Sequence, residues 1–262
     1  SIISFMSGIK APCVCSLFSL VYETGKENLH RIVVYCAAGK EVSYVEKNLT
    51  GKGVGVAVLD TGIFPHVDFD SRIWAFQDFV NKRTVPYDDC GHGTHVMGIL
   101  GGSGKASGGK CRGIAPGCGL IALKVLDDKG NGSQDTVIRA LDWIQENRET
   151  YKIRIVNISV GTTERFGHER LIQAVEDAWD SGLVVVAAAG NQGPGQGSIT
   201  APGSSKKIIT VGSSDMLFQN QGISGRGPTR ECVSKPDIVA PGNEILSCSN
   251  KISGFPYTRK SG

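Results

Sequence analysis

Val54-Gly55-Val56-Ala57-Val58-Leu59-Asp60-Thr61-Gly62 is the stretch that decides the fold. Its first six residues carry no charge and read as a strand buried on both faces, closed by an aspartate and a glycine turn. The same kind of run recurs at Leu120–Leu126, Ile153–Val160, Leu183–Ala189 and Lys207–Val211. Between the third and fourth runs, Glu169–Ser181 places Leu171, Ile172, Val175, Ala178 and Trp179 at helical spacing, and Gly182 stops it. Ser133–Arg148 is similar, with Ser133 as candidate N-cap and Val137, Ile138, Leu141 and Ile144 as the inward stripe. Strand alternating with helix predicts an α/β fold, a three-layer α/β/α arrangement with a mainly parallel sheet and right-handed crossovers. Ligands of such sheets bind beyond the carboxyl ends of the strands. Asp60-Thr61-Gly62, Gly161-Thr162-Thr163 and Gly190-Asn191 are therefore expected to share one rim.

Composition sets the bounds. The 262 residues hold one large α/β domain or two small ones, and 40% apolar content supplies a sizeable core. A net charge of +3, with no Lys/Arg cluster, speaks against a nucleic-acid partner. No apolar run is long enough to cross a bilayer. Eight cysteines include no C-x-x-C pair, so they are expected to be mostly free thiols, buried or half-buried. Residues 1–50 read differently: Ile2–Phe5, Val14–Val21 and Ile32–Tyr35 are strand-like, Glu27–His30 opens a short helix, and polar Glu46–Gly53 forms a junction.

The chemistry sits in few places. A carboxylate at the end of a buried strand, as at Asp60, is costly without a hydrogen-bonding partner, although Asp also caps turns. His92 lies in Cys90-Gly91-His92-Gly93-Thr94-His95-Val96-Met97-Gly98, which reads as a helix start with glycines that leave room for another chain. Zinc on His92 and His95 is a poor reading, since H-E-x-x-H needs four-residue spacing and a glutamate. An aspartic-protease reading of Asp60-Thr61-Gly62 needs a second carboxylate motif, and only one D-T-G exists. Gly104, Gly109 and Lys110 fit a phosphate-loop spacing, but Cys111 stands where a Ser or Thr should hold magnesium. One arrangement uses all the pieces: a carboxylate that holds an imidazole, an imidazole that takes a proton from a nucleophile, and a donor for the oxyanion. Asp60, His92 and Asn191 suit those roles.

Val58-Leu59-Asp60-Thr61-Gly62-Ile63, Gly91–Gly98 and Ala188-Ala189-Gly190-Asn191 together resemble the aspartate, histidine and oxyanion motifs of the subtilisin-like (subtilase) family. Gly113–Pro116, Lys124–Leu126, Ser224–Pro228 and Lys235–Gly242 add to the resemblance, which runs from about Thr50 to the last residue. It implies a serine endopeptidase acting on polypeptides, with Asp60 orienting His92, His92 as general base, Asn191 as oxyanion donor and His95 structural. It also implies that substrate is added as an extended strand between Gly130-Asn131-Gly132 and Ser159-Val160-Gly161. Ala188, Ala189 and Gly190 then line the pocket for the side chain before the scissile bond, and such small residues imply room for a large one.

On the same register Tyr257–Gly262 leads into the family's G-T-S-M-A motif, so the nucleophile is expected two positions past Gly262. The catalytic domain, taken as 48–262, is then incomplete, and this stretch alone is expected to be inactive. Residues 1–47 resemble the tail of a propeptide, a partner cut from its own chain. No cofactor or metal is required for catalysis. Calcium is common in the family, but Lys105 and Lys110 oppose a cation in the Gly101–Cys111 loop, and Asp68 and Asp70 are expected to be surface carboxylates. Cys90 is expected as a buried thiol beside His92. The resemblance further implies a monomer, placed extracellularly rather than in the cytoplasm. The contrasting reading is a degenerate relative that serves as a binding or regulatory module.

Overall fold

The structure is a computed structural model that describes residues 32–35, 41–44, 49–162, 167–214, 223–251 and 254–262. Strands β1 (Ile32–Tyr35) and β2 (Glu41–Tyr44) form an antiparallel hairpin in the register Ile32 to Tyr44. The expected elements at Ile2–Phe5, Val14–Val21 and Glu27–His30 lie outside the described residues.

The decisive stretch is strand β3 (Gly55–Asp60), buried along its whole length. It lies within a seven-stranded sheet with β4 (Ile73–Asp78), β5 (Gly119–Lys124), β6 (Ile153–Ile158), β7 (Val184–Ala188), β8 (Ile209–Ser213) and β9 (Ile238–Ala240). The spatial order is β4-β5-β3-β6-β7-β8-β9, and every pairing is parallel. Period-two alternation splits the strand residues between two cores. Ala57, Leu59, Ile121 and Leu123 face helices α2 (Gln134–Asn147) and α3 (Glu169–Asp180), meeting Val137, Leu141, Ile144, Leu171, Val175 and Ala178. Val56, Val58, Leu120 and Ala122 face the other way, onto Met97 of helix α1 (His92–Gly101). Each fully buried Leu or Ile stabilises the fold by roughly 1.5–3 kcal/mol. This is the three-layer α/β/α arrangement that the sequence predicts.

Local signals behave as expected. The Ser133 side chain accepts from Thr136 N at 3.2 Å, capping α2. Gly182, at φ +94°, ends the turn after α3. Three features were not anticipated. Strand β4 is an edge strand with no clear alternation in burial, β9 is only three residues long, and β10 (Ile245–Cys248) pairs with β11 (Tyr257–Lys260) as a separate antiparallel hairpin. That hairpin packs on α1. A side-chain carbon at Gly98 would lie 2.3 Å from Ser247 Oγ, so only glycine permits the approach.

From β3 the chain moves outward to β4 and β5 on one side and later to β6 on the other. The carboxyl end of β3 is therefore the switch point of the sheet, where a crevice opens. Asp60 ends β3 there.

Candidate active site

Helix α1 brings His92 to that crevice as its first residue. His92 Nδ1 lies 2.8 Å from Asp60 Oδ1 and 2.9 Å from Oδ2. The Asp60 side chain is fully buried, whereas 42% of the His92 side chain is exposed. An ionised carboxylate only accepts, so Nδ1 carries the proton and Nε2 holds the basic lone pair. No described residue hydrogen-bonds Nε2. Thr61 N donates to Asp60 Oδ1 at 2.7 Å, holding the carboxylate in place.

Two further acidic residues fix the pair. Asp88 is buried and accepts from Gly91 N, Thr94 N and Thr94 Oγ1 at the start of α1, at 2.7, 2.8 and 2.6 Å. It also accepts from Thr61 Oγ1 at 2.8 Å, and Thr61 Oγ1 in turn accepts from Gly93 N at 2.9 Å. The residue after Asp60 is thus tied to the residue after His92. Burial pushes the Asp88 carboxyl up, but the donors from Thr94, Gly91 and Thr61 outweigh it and leave its pKa below the ordinary value. Asp89 pairs at 2.7 Å with Lys124 Nζ, which also donates to Thr61 O at 2.7 Å and Leu126 O at 2.9 Å. Lys124 is fully buried and sits opposite Asp60 in the β3–β5 register. Sequence reading named Lys124 only as part of a motif and passed over Asp88. Asp88 stands four residues before His92 and precedes a helix with no side-chain cap of its own, a signal that could have found it.

The His92 pKa lies above its ordinary value, chiefly through the hydrogen bond to Asp60 and then its charge, against burial and the Lys260 charge. A raised folded pKa means that the protonated pair stabilises the fold fully below about 6.5, and that this contribution is lost as pH rises through the folded value. The free lone pair exists only above that folded value. NMR titration of the imidazole in this chain is expected to give a midpoint above the ordinary one, moving down in Asp60→Asn. Equal midpoints in both proteins would contradict the pairing. His95, by contrast, is buried with Nε2 2.8 Å from Ile245 O, and burial lowers its pKa.

The other predicted residues lie at the ends of neighbouring strands. Gly130, Asn131 and Gly132 are exposed in the turn before α2. Ser159 and Val160 are half-buried and Gly161 is exposed, directly after β6. Ala188 and Gly190 are half-buried, Ala189 is buried, and Asn191 is exposed beyond β7. Gly190, at φ +86°, accepts from Gly225 N through its carbonyl at 2.8 Å, which holds this turn. A side-chain carbon at Gly161 or Gly190 would lie 2.3 or 2.1 Å from Thr200 Oγ1, so Thr200 packs against both glycines. At the far end of the chain, Gly262 N donates to Gly242 O at 2.9 Å, just after β9 on the same side of the sheet.

Two expectations are corrected. Asp68 is not a surface carboxylate, since it is fully buried and accepts from Ala106 N and Tyr257 Oη at 2.8 Å each. Asp70 is exposed and pairs with Lys105 at 3.1 Å. Cys90 is half-exposed rather than buried. His66, Asp68 and Cys248 form a group with ligand atoms within 4.8 Å of one another. Nitrogen and sulfur donors do not suit calcium, and both Asp68 oxygens already accept protein donors, so the group does not fit that ion. Among the described residues no helix is long and apolar enough to cross a membrane.

Comparison with known proteins places this geometry in a family. The sequence profile of the subtilase family, peptidase S8, matches residues 51–262. Serine protease AprX of Bacillus subtilis strain 168 is 44% identical over 236 residues, covering 85% of this chain and 53% of AprX. Minor extracellular protease Epr of the same strain is 35% identical, covering 76% of this chain and 28% of Epr. Subtilisin Savinase of Lederbergia lenta is 37% identical, with 77% and 68% covered. The chain thus spans about half the length of AprX and less of Epr. Among solved structures, a cold adapted subtilisin-like serine proteinase aligns with a TM-score of 0.68 at 30% identity, covering 85% of this chain and 74% of that one. With its parallel sheet, its Asp60–His92 pair and these relatives, this chain belongs to the subtilase family.

Proposed function

We propose that the protein is a serine endopeptidase in which Asp60 orients His92, His92 Nε2 is the general base and the Asn191 side chain donates to the oxyanion. The nucleophile in this reading is a serine two positions after Gly262. The observation that carries it is the buried Asp60 carboxylate gripping Nδ1 of a part-exposed imidazole at the switch point of the sheet. In the first half-reaction Nε2 takes the serine proton as Oγ attacks the carbonyl carbon. The resulting oxyanion is held by Asn191, and the imidazolium returns the proton to the leaving amine as the C–N bond breaks. Water then repeats the sequence on the acyl-enzyme and releases the acid and the free serine. Exposed Gly130–Gly132 and Gly161, with half-buried Ser159 and Val160 beside them, support addition of the substrate as a strand, since main-chain hydrogen bonds need close backbone approach.

The profile match beginning at residue 51 supports a propeptide over 1–47. The name of Epr, a minor extracellular protease, supports extracellular action, and we take the enzyme to work as a monomer. The test uses the full-length protein with a fluorophosphonate reagent and a fluorogenic peptide. Labelling is expected on one serine, located by mass spectrometry just after Gly262, together with hydrolysis that His92→Ala removes. Full-length protein that neither labels nor cleaves would instead favour the binding-module reading.

A further inference from the structure

The turn that follows edge strand β4 is built around a buried carboxylate. Asp78 Oδ1 accepts from Val80 N and Asn81 N at 2.8 Å each, and Oδ2 accepts from Arg83 N at 3.2 Å and Tyr87 Oη at 2.7 Å. Lys82, inside this turn, has φ +59°, a conformation that glycine adopts without strain and lysine rarely adopts. A position suited to glycine thus carries a cation. The turn borders a groove of about 440 Å³ lined by Phe76, Phe79, Lys82, Arg83, Thr84 and, from α2, Arg139. Two of the three cations are held in place. The Arg83 guanidinium lies over the Tyr87 ring, 4.6 Å from its centroid. Arg139 donates to Phe79 O at 3.3 Å, with its guanidinium 5.9 Å from the Phe79 ring centroid.

The acidic groups nearby are engaged elsewhere. Asp78 is spent on its four donors, Asp89 pairs with Lys124, and Asp135 pairs with Arg170 at 3.2 Å. Asp142 lines the neighbouring groove between α2 and α3. Among the described residues no carboxylate forms an ion pair with Lys82, Arg83 or Arg139. The groove also opens at the active-site end of the sheet. In register Asp78 stands opposite Lys124, and Lys124 opposite Asp60, so two strand spacings, about 10 Å, separate Asp78 from Asp60.

We propose that this groove docks an acidic segment of another polypeptide, with glutamate or aspartate carboxylates on Lys82, Arg83 and Arg139 and an apolar side chain between them on Phe76 and Phe79. Charge complementarity selects the acid, and a guanidinium fork matches a carboxylate in shape. The aromatic lining offers contacts to a peptide that a bare inorganic anion cannot use. Strand β4 is the edge of the sheet, and its outer side pairs with no described strand, so main chain is available beside the groove. The site goes beyond the protease reading and does not depend on it.

The test is calorimetric titration of the full-length protein carrying His92→Ala, so that the peptides stay intact. The probes are acetyl-Glu-Glu-Leu-Glu-Glu-amide and its glutamine counterpart. The glutamate peptide is expected to bind about tenfold more tightly, and Arg83→Gln and Arg139→Gln each to weaken it about tenfold. Both arginines are exposed, so these variants are expected to keep the parent's denaturation midpoint. Lys110→Gln removes the same charge from another exposed position and is expected to leave binding unchanged. Three results would each overturn the proposal: equal binding of the two peptides, a loss in Lys110→Gln as large as in the arginine variants, or displacement of the peptide by an equal concentration of inorganic phosphate, which marks a small-anion site. No bond is cut in this measurement, so its failure leaves the protease reading standing, and failure of that reading leaves the docking site standing.

Discussion

Replacing His92 with alanine in the full-length protein is expected to lower kcat by about 10⁶-fold with little change in KM; that size is the one known for subtilisin itself and not one obtained from this geometry. The direction follows from the structure. Asp60 engages Nδ1, which leaves Nε2 of the same ring to accept a proton. In the proposed mechanism, without that ring the serine would attack as a hydroxyl whose proton has nowhere near to go. The variant is expected to fold with some loss of stability, because 42% of the side chain is already in solvent and Thr61 N still donates to Asp60 Oδ1, whereas the buried carboxylate loses its Nδ1 partner. Matched circular dichroism with retained hydrolysis would remove His92 from the mechanism. Asp60→Asn is expected to act differently. It leaves an imidazole in place but presents a donor where an acceptor is needed, so the loss is roughly 10⁴-fold.

The largest expected effect on stability belongs to Lys124→Met. Lys124 is buried without remainder, and its ammonium holds Thr61 O, Leu126 O and the Asp89 carboxylate. Methionine matches the length of the stem but offers no donor, which leaves two inward carbonyls unsatisfied. Each such group costs about 1–3 kcal/mol. Asp89 is 34% exposed and can rehydrate, which limits its share of the loss. A net destabilisation of about 2–4 kcal/mol is expected, read as a fall in denaturation midpoint at unchanged m-value. A variant as stable as the parent would show that the three contacts do not support the end of β3.

The sheet was legible because its central strands are buried on both faces. Apolar runs such as 54–59 and 120–123 have no competing helical reading of the right length. The helices were legible from spacing and from Ser133 and Gly182 at their ends. Asp60 and His92 could be paired because each sits where its residue type is hard to explain structurally. What escaped detection depends on tertiary neighbours. Asp68 carries no sign in sequence that Tyr257, nearly two hundred positions later, closes over it. Lys124 looks like a solvated charge until β3 and β5 are aligned. Nothing in the sequence shows that Thr200 packs against Gly161 and Gly190. Edge strand β4 and short β9 lack the periodicity that a window of residues needs.

Asp88 has a consequence for how this part of the chain can change. Its two oxygens serve the hydroxyls of both Thr61 and Thr94, at 2.8 and 2.6 Å, besides the amides that open α1. Once Asp88 is lost, neither threonine keeps that acceptor, so a later change at Thr61 or Thr94 costs only what its hydroxyl still accepts, from Gly93 N and Phe64 N respectively. Measured costs at the three positions should therefore fall well short of additive. The corner that brings a strand end and a helix start together behaves as one inherited unit. Descendants of this sequence are expected to keep it whole or to replace it in a single concerted step.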